Sequence, residues 1–214
     1  MSLNRIYEIV VLINFLYSVY IWIFKGKSKQ QFYFFLYLLL VLLVDVIPVN
    51  FPELIIFERN IAFVGFILLS VLYFGLIYFK TFTHPFIKIT ILVFMSVLIF
   101  FNLYKLVTQN VDQLDFIHII SLPILFIFFS IAWYIYKLRN VNETRIIDDF
   151  LFWISTGLLI WSVFFIFRAI PMYFLQKNDP ELLAFVINAF SIVNIITYTL
   201  FFTGLTFIKN ERAS

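Results

Sequence analysis

The sequence predicts an all-α, polytopic membrane protein: one domain over residues 1–214, with seven transmembrane helices, the N-terminus outside and the C-terminus cytoplasmic. Three observations lead there. Of 214 residues, 64% are hydrophobic and 13% charged, far from the roughly half-apolar, quarter-charged mix of a soluble domain. The apolar residues gather in long uninterrupted runs rather than alternating, which favours helices over an outer-membrane barrel. Lys and Arg are divided unevenly between alternate loops.

Seven runs cover about 4–24, 32–50, 60–79, 86–107, 116–136, 150–171 and 183–208. At about 1.5 Å per residue each can cross a hydrocarbon layer of about 30 Å. The apolar core of the first run, Ile6 to Phe24, has only Arg5 before it and a lysine group after it, the reverse of a secretory signal, and reads as a retained span. The second ends at Asp45-Val46-Ile47-Pro48, and the third follows Asn50-Phe51-Pro52-Glu53. Thr83-His84-Pro85 opens the fourth, and the fifth carries Pro123, where a kink is expected. Asp148-Asp149 sits at the start of the sixth, where carboxylates suit a helix N-terminus. The seventh follows Lys177-Asn178-Asp179-Pro180.

Loops this short make neighbouring helices antiparallel. One side then holds ten basic residues, Lys25, Lys27, Lys29, Lys80, Lys88, Lys137, Arg139, Arg145, Lys209 and Arg212. The other holds five, Arg5, Arg59, Lys105, Arg168 and Lys177. The richer side is expected to be cytoplasmic, in an inner (plasma) membrane. Trp22, Tyr78, Tyr136 and Trp153 fall near predicted helix ends, as interfacial anchors would.

Several chemistries are excluded. Without cysteine there is no disulfide, thiolate metal site or thiol nucleophile. The basic residues are dispersed, so no nucleic-acid partner is expected. No metalloprotease helix, nucleophile elbow, Walker loop or dinucleotide fingerprint occurs, so the chain reads as a non-enzyme with no implied cofactor. His84 and His118 lie on opposite faces and make no metal site. A microbial rhodopsin would need a lysine inside the seventh helix, and none precedes Lys209.

In a lipid solvent the informative residues are the polar ones inside spans, because an ionisable group there must snorkel, pair or face water. Glu8, Asp45, Asn102, His118, Arg168 and Asn188 all fall towards the outer side. They are the candidate ligand pocket, open to the outside, with Arg168 paired to Asp45 or Glu8. The structural alternative has Glu8 and Arg168 snorkelling and Asp45 capping a helix end loosened by Pro48. On the seventh helix Asn188, Ser191, Asn194 and Tyr198 fall within about 120° of arc. That polar face is expected to point inward, lining a cavity or binding a neighbouring helix. Gly65, Gly75, Gly157, Gly204 and the patch Ser155-Thr156-Gly157 are expected to let helices approach closely.

An internal repeat is also legible, 1–80 and 116–209 with helix 86–107 as linker. Pro52-Glu53-Leu54 and Pro180-Glu181-Leu182 occupy matching places, as do Gly75…Lys80 and Gly204…Lys209, and Ser18…Lys25 and Ser130…Lys137. This 3+1+3 order is similar to that of small sugar-exporter-type transporters, whose site lies between the repeats. Separately, Phe152-Trp153-Ile154-Ser155-Thr156-Gly157-Leu158-Leu159-Ile160, with Asn188 and Ser191-Ile192-Val193-Asn194-Ile195-Ile196, resembles multi-span bacterial membrane modules of the sensor type, some of them fused to histidine kinases. That resemblance implies a signalling role. With six residues after the seventh run, the signal would pass to a separate cytoplasmic or membrane partner.

The functional expectation is a sensor- or receptor-like module taking a small ligand from the outer side of the bilayer. The alternatives are a 3+1+3 small-molecule transporter, which needs a site reachable from both sides, and an intramembrane lipid-modifying enzyme, which needs two convergent carboxylates.

Overall fold

A computed structural model describes residues 2–26, 31–51, 59–108, 116–140, 145–175 and 180–208. All seven apolar runs are helical, and there is no strand among the described residues. The helices are α1 (Leu3–Lys25), α2 (Phe34–Asn50), α3 (Arg59–Thr81), α4 (Pro85–Thr108), α5 (Phe116–Arg139), α6 (Phe150–Leu175) and α7 (Pro180–Thr206). Six are long and apolar enough to cross a bilayer, and α2 is shorter, as a multi-pass membrane protein requires.

Local chemistry sets the ends. Ser2 caps α1 by accepting from the Arg5 N–H at 3.4 Å, and Gly26 ends it in the left-handed conformation, φ 59°, where a side chain would be strained. The Asp149 carboxylate accepts from the Leu151 N–H at 2.9 Å at the start of α6 and pairs with Lys137 at 2.7 Å. The expected capping thus falls to Asp149, while Asp148 closes a short 3-10 turn, Ile146–Asp148. Pro123 lies inside α5, which runs unbroken through it.

α2 is not uniform: Phe34–Val41 is α-helical, Leu42–Val46 is π-helical, and Ile47–Asn50 is α-helical again. Pro48 has no N–H to return to the carbonyl one turn earlier, and the wider turn lies immediately before it. π segments of this kind recur at functional sites.

The helices α1, α2, α3, α5, α6 and α7 pack in that order as a closed ring, α7 returning to α1, and α4 lies outside against α3 and, less extensively, α5. The small-residue patch on α6 explains its central place. Successive residues point about 100° apart. Ser155 shares a 2.8 Å hydrogen bond with Tyr78 of α3, Thr156 shares one of 2.6 Å with Tyr134 of α5, and Gly157 lies against Phe201 of α7. Gly204 and Gly75 are likewise close-packed, against Trp153 and Phe150 and against Met95. Gly65 is not: a methyl group there would meet nothing within 4 Å.

One anchor expectation is corrected. Tyr78 is fully buried, with its hydroxyl on Ser155; it belongs to the core because an aromatic ring with a partnered hydroxyl is as much at home inside the bundle as at an interface. Trp22 does stay exposed, stacked on Phe35.

Candidate functional site

At the end of the ring that carries Ser2, the polar groups of four helices meet. Tyr7 of α1 is buried and donates its hydroxyl to Oδ2 of Asp45, which sits exposed in the π-helical turn of α2. Arg168 of α6 is half-buried, with its guanidinium 4.6 Å from the centre of the Phe190 ring of α7, and lies close enough to Asp45 for the two charges to attract. A cation over an aromatic face is a stable arrangement where water is scarce.

Inward from Asp45, Tyr198 of α7 packs on Tyr7 and leads to Tyr37 of α2 through Phe201 and Phe34, with ring centroids 5.4 Å (Tyr198–Phe201), 5.4 Å (Phe201–Phe34) and 5.6 Å (Phe34–Tyr37) apart. The rings of Tyr7 and Tyr198 are 5.6 Å apart. Tyr37 of α2 then stacks on Tyr73 of α3, with centroids 5.6 Å apart and planes within 16°. These side chains form a connected file of aromatic contacts from the exposed carboxylate into the interior.

Beyond Tyr37 the ring is filled by aromatic contacts that cross it. Phe34 of α2 meets Phe150 of α6 at 5.7 Å and Phe201 of α7 at 5.4 Å, while between the ring neighbours α3 and α5 Phe74 meets Phe126 at 4.9 Å. Phe34, Phe74, Phe126, Phe201 and Trp133 are all fully buried. The Tyr78–Ser155 hydrogen bond spans from α3 to α6.

Of the residues singled out in the sequence, Asp45 and Arg168 lie at the same end of the ring, close enough for their charges to attract. Glu8 does not join them; it pairs with Arg5 at 3.1 Å, and Arg5 also reaches Oδ1 of Asn50 at 2.5 Å. Asn102 is buried but lies on α4, outside the ring, and donates to Leu98 of its own helix. The side chain of His118 lies outside the described residues. Asn188 is exposed on α7, contrary to the expectation that this face points inward as a whole. α7 begins well before the level at which α1 meets it, since Asn4 near the start of α1 accepts from Ser191 at 2.9 Å. Inside the packed region the stripe does serve as interhelical hydrogen bonding: Asn194 accepts from Trp161 of α6 at 3.1 Å.

Tyr7, Tyr37 and Tyr73 are absent from the residues that sequence reasoning brings forward. A signal existed in α1, where Tyr7, Val11, Asn14, Ser18 and Ile21 make the buried face. Their alternating spacing of four and three, with polar residues kept in it, marks a packed face. The chain matches no protein-family model, no curated protein and no solved structure.

Proposed function

We propose that the protein is a non-enzymatic sensor- or receptor-type module of a bacterial inner membrane, with its N-terminus outside and its C-terminus in the cytoplasm. Its input site is the cluster of Asp45, Tyr7, Arg168 and Tyr198, taking a small polar ligand from the outer side and passing the signal to a separate partner. One observation carries this reading: the polar cluster on Asp45 lies at the Ser2 end, while Phe34, Phe150, Phe201 and the Tyr78–Ser155 bond cross the ring beyond it. A receptor needs access from one side only; a transporter needs both.

The native chain has no cysteine, so single cysteines can be introduced directly. At Asp45 and Arg168 they should react with a membrane-impermeant maleimide from outside. At Ser130, Ser155 and Ser162 they should resist it from both sides of inverted and right-side-out vesicles. Labelling of the latter three from either side sinks the receptor reading.

A second reading, the 3+1+3 transporter, draws on the ring order. Exchanging α1–α2–α3 for α5–α6–α7 maps every ring neighbour onto another ring neighbour and leaves α4 outside.

A further inference from the structure

The turn before α2 holds two consecutive aromatic residues in the left-handed region, Phe32 at φ 51° and Tyr33 at φ 55°. Side-chain-bearing residues adopt this conformation rarely and at a cost, so it persists only where the surroundings over-determine it. Three anchors do so. Gln31 is fully buried, its Oε1 accepting from the Ser18 hydroxyl at 2.5 Å and its Nε2 donating to the Ser18 carbonyl at 3.1 Å. Phe34 is fully buried against Phe150 and Phe201. The third anchor is Tyr73, whose hydroxyl donates to the Phe32 carbonyl at 3.0 Å.

Tyr73 is also the inner end of the tyrosine file, stacked on Tyr37. We infer that Asp45 is mechanically coupled, through Tyr7, Tyr198, Phe201, Phe34, Tyr37 and Tyr73, to the strained Gln31–Tyr33 turn at the opposite end of α2, and that this turn is the output element of the module. The inference rests on the sensor reading and adds its transmission. The two ends lie about 16 Å apart along the helix axis. Each is an irregular backbone element with an ordinary alternative close by: the π turn can revert to α-helix, and the left-handed turn can relax when an anchor is withdrawn. Coupling between sites needs such two-state elements at its ends, because continuous packing alone transmits no choice. A ligand that competes with Tyr7 for the Asp45 carboxylate frees Tyr7 to reorganise with Tyr198 and, through Phe201 and Phe34, with Tyr37. Tyr73, held against Tyr37, then changes its hold on Phe32.

The test is amide hydrogen exchange of the full chain in nanodiscs, read at Phe34 and Leu36, whose N–H groups donate to the carbonyls of Gln31 and Tyr33 at 2.9 Å each. Tyr73→Phe removes the direct anchor and should speed exchange there by about tenfold or more, while Tyr37→Leu, which removes the ring stacked on Tyr73, and Asp45→Ala should speed it by at least about threefold. Leu39→Ala, on an exposed face of the same helix, should leave it at the wild-type rate. Wild-type exchange in Tyr37→Leu and Asp45→Ala overturns the coupling, as does an equal rise in Leu39→Ala, which would report general loosening of α2. The two readings fail separately. Labelling of the crossed interior from either side removes the receptor and leaves the exchange result standing, whereas unchanged exchange removes the coupling and leaves one-sided access intact.

Discussion

Nδ2 of Asn14 in α1 donates to the main-chain carbonyl of Tyr198 in α7 at 3.0 Å, and to Val10 of its own helix at 2.8 Å. Two helices at opposite ends of the sequence are thereby joined inside the bundle, beside the tyrosine file. Asn14 is fully buried, and its Oδ1 has no partner among the described residues. Each interhelical bond of this kind contributes only about 0.6 kcal/mol in a membrane. Asn14→Leu removes the bonds and the unsatisfied oxygen together, so stability should change by less than about 1 kcal/mol. Asn14→Asp places an acceptor-only, chargeable group against two carbonyls and should cost about 3 kcal/mol or more. Unfolding in detergent by thermal or steric-trapping methods compares the two; a larger loss in the leucine variant refutes the account.

The Tyr78–Ser155 bond should behave as a unit. Ser155→Ala leaves a buried tyrosine hydroxyl without its partner and should cost about 1–2 kcal/mol. Adding Tyr78→Phe removes the orphaned group, so the double variant should be no less stable than Ser155→Ala alone. Additive losses in the same unfolding measurement would show that the two hydroxyls act independently.

Two glycines should respond in opposite ways. A methyl group at Gly204 would stand 3.0 Å from Cβ of Trp153 and 3.2 Å from the Phe150 carbonyl, so Gly204→Ala should force α6 and α7 apart and cost about 1–3 kcal/mol. At Gly65 the same change meets open space and, by helix propensity, should be neutral or stabilising by up to about 1 kcal/mol. Equal effects at the two sites would contradict the packing described for α6 and α7.

The ten-to-five division of basic residues predicts an outward N-terminus and a cytoplasmic C-terminus. Ser2→Cys should label with an impermeant maleimide on intact cells, and Arg145→Cys only after permeabilisation. The reverse pattern would place the Asp45 cluster on the cytoplasmic side and remove the outward-facing input site.

The helices were legible because lipid offers the backbone no hydrogen-bonding partner, so each span must satisfy its own N–H and C=O groups locally. Seven apolar runs therefore became helices close to their expected bounds, and Asp149 took the capping place its position suggested. Of the candidate site, Asp45 and Arg168 could be found, because ionisable groups stand out in an apolar run. Glu8 stood out equally, yet its partner proved to be Arg5, one turn away on the same helix.

Which faces meet was decided only in three dimensions. Lipid tails are as apolar as a protein core, so hydropathy distinguishes neither a buried phenylalanine from a lipid-facing one nor a core tyrosine from an interfacial anchor. Tyr78 shows the consequence, as do Tyr7, Tyr37 and Tyr73, which acquire their roles only when α1, α2, α3 and α7 close around them. The left-handed turn at Phe32 and Tyr33 is likewise invisible in the sequence, since no glycine marks it. It is held by Ser18, Tyr73 and Phe150, contacts that exist only once distant helices have packed.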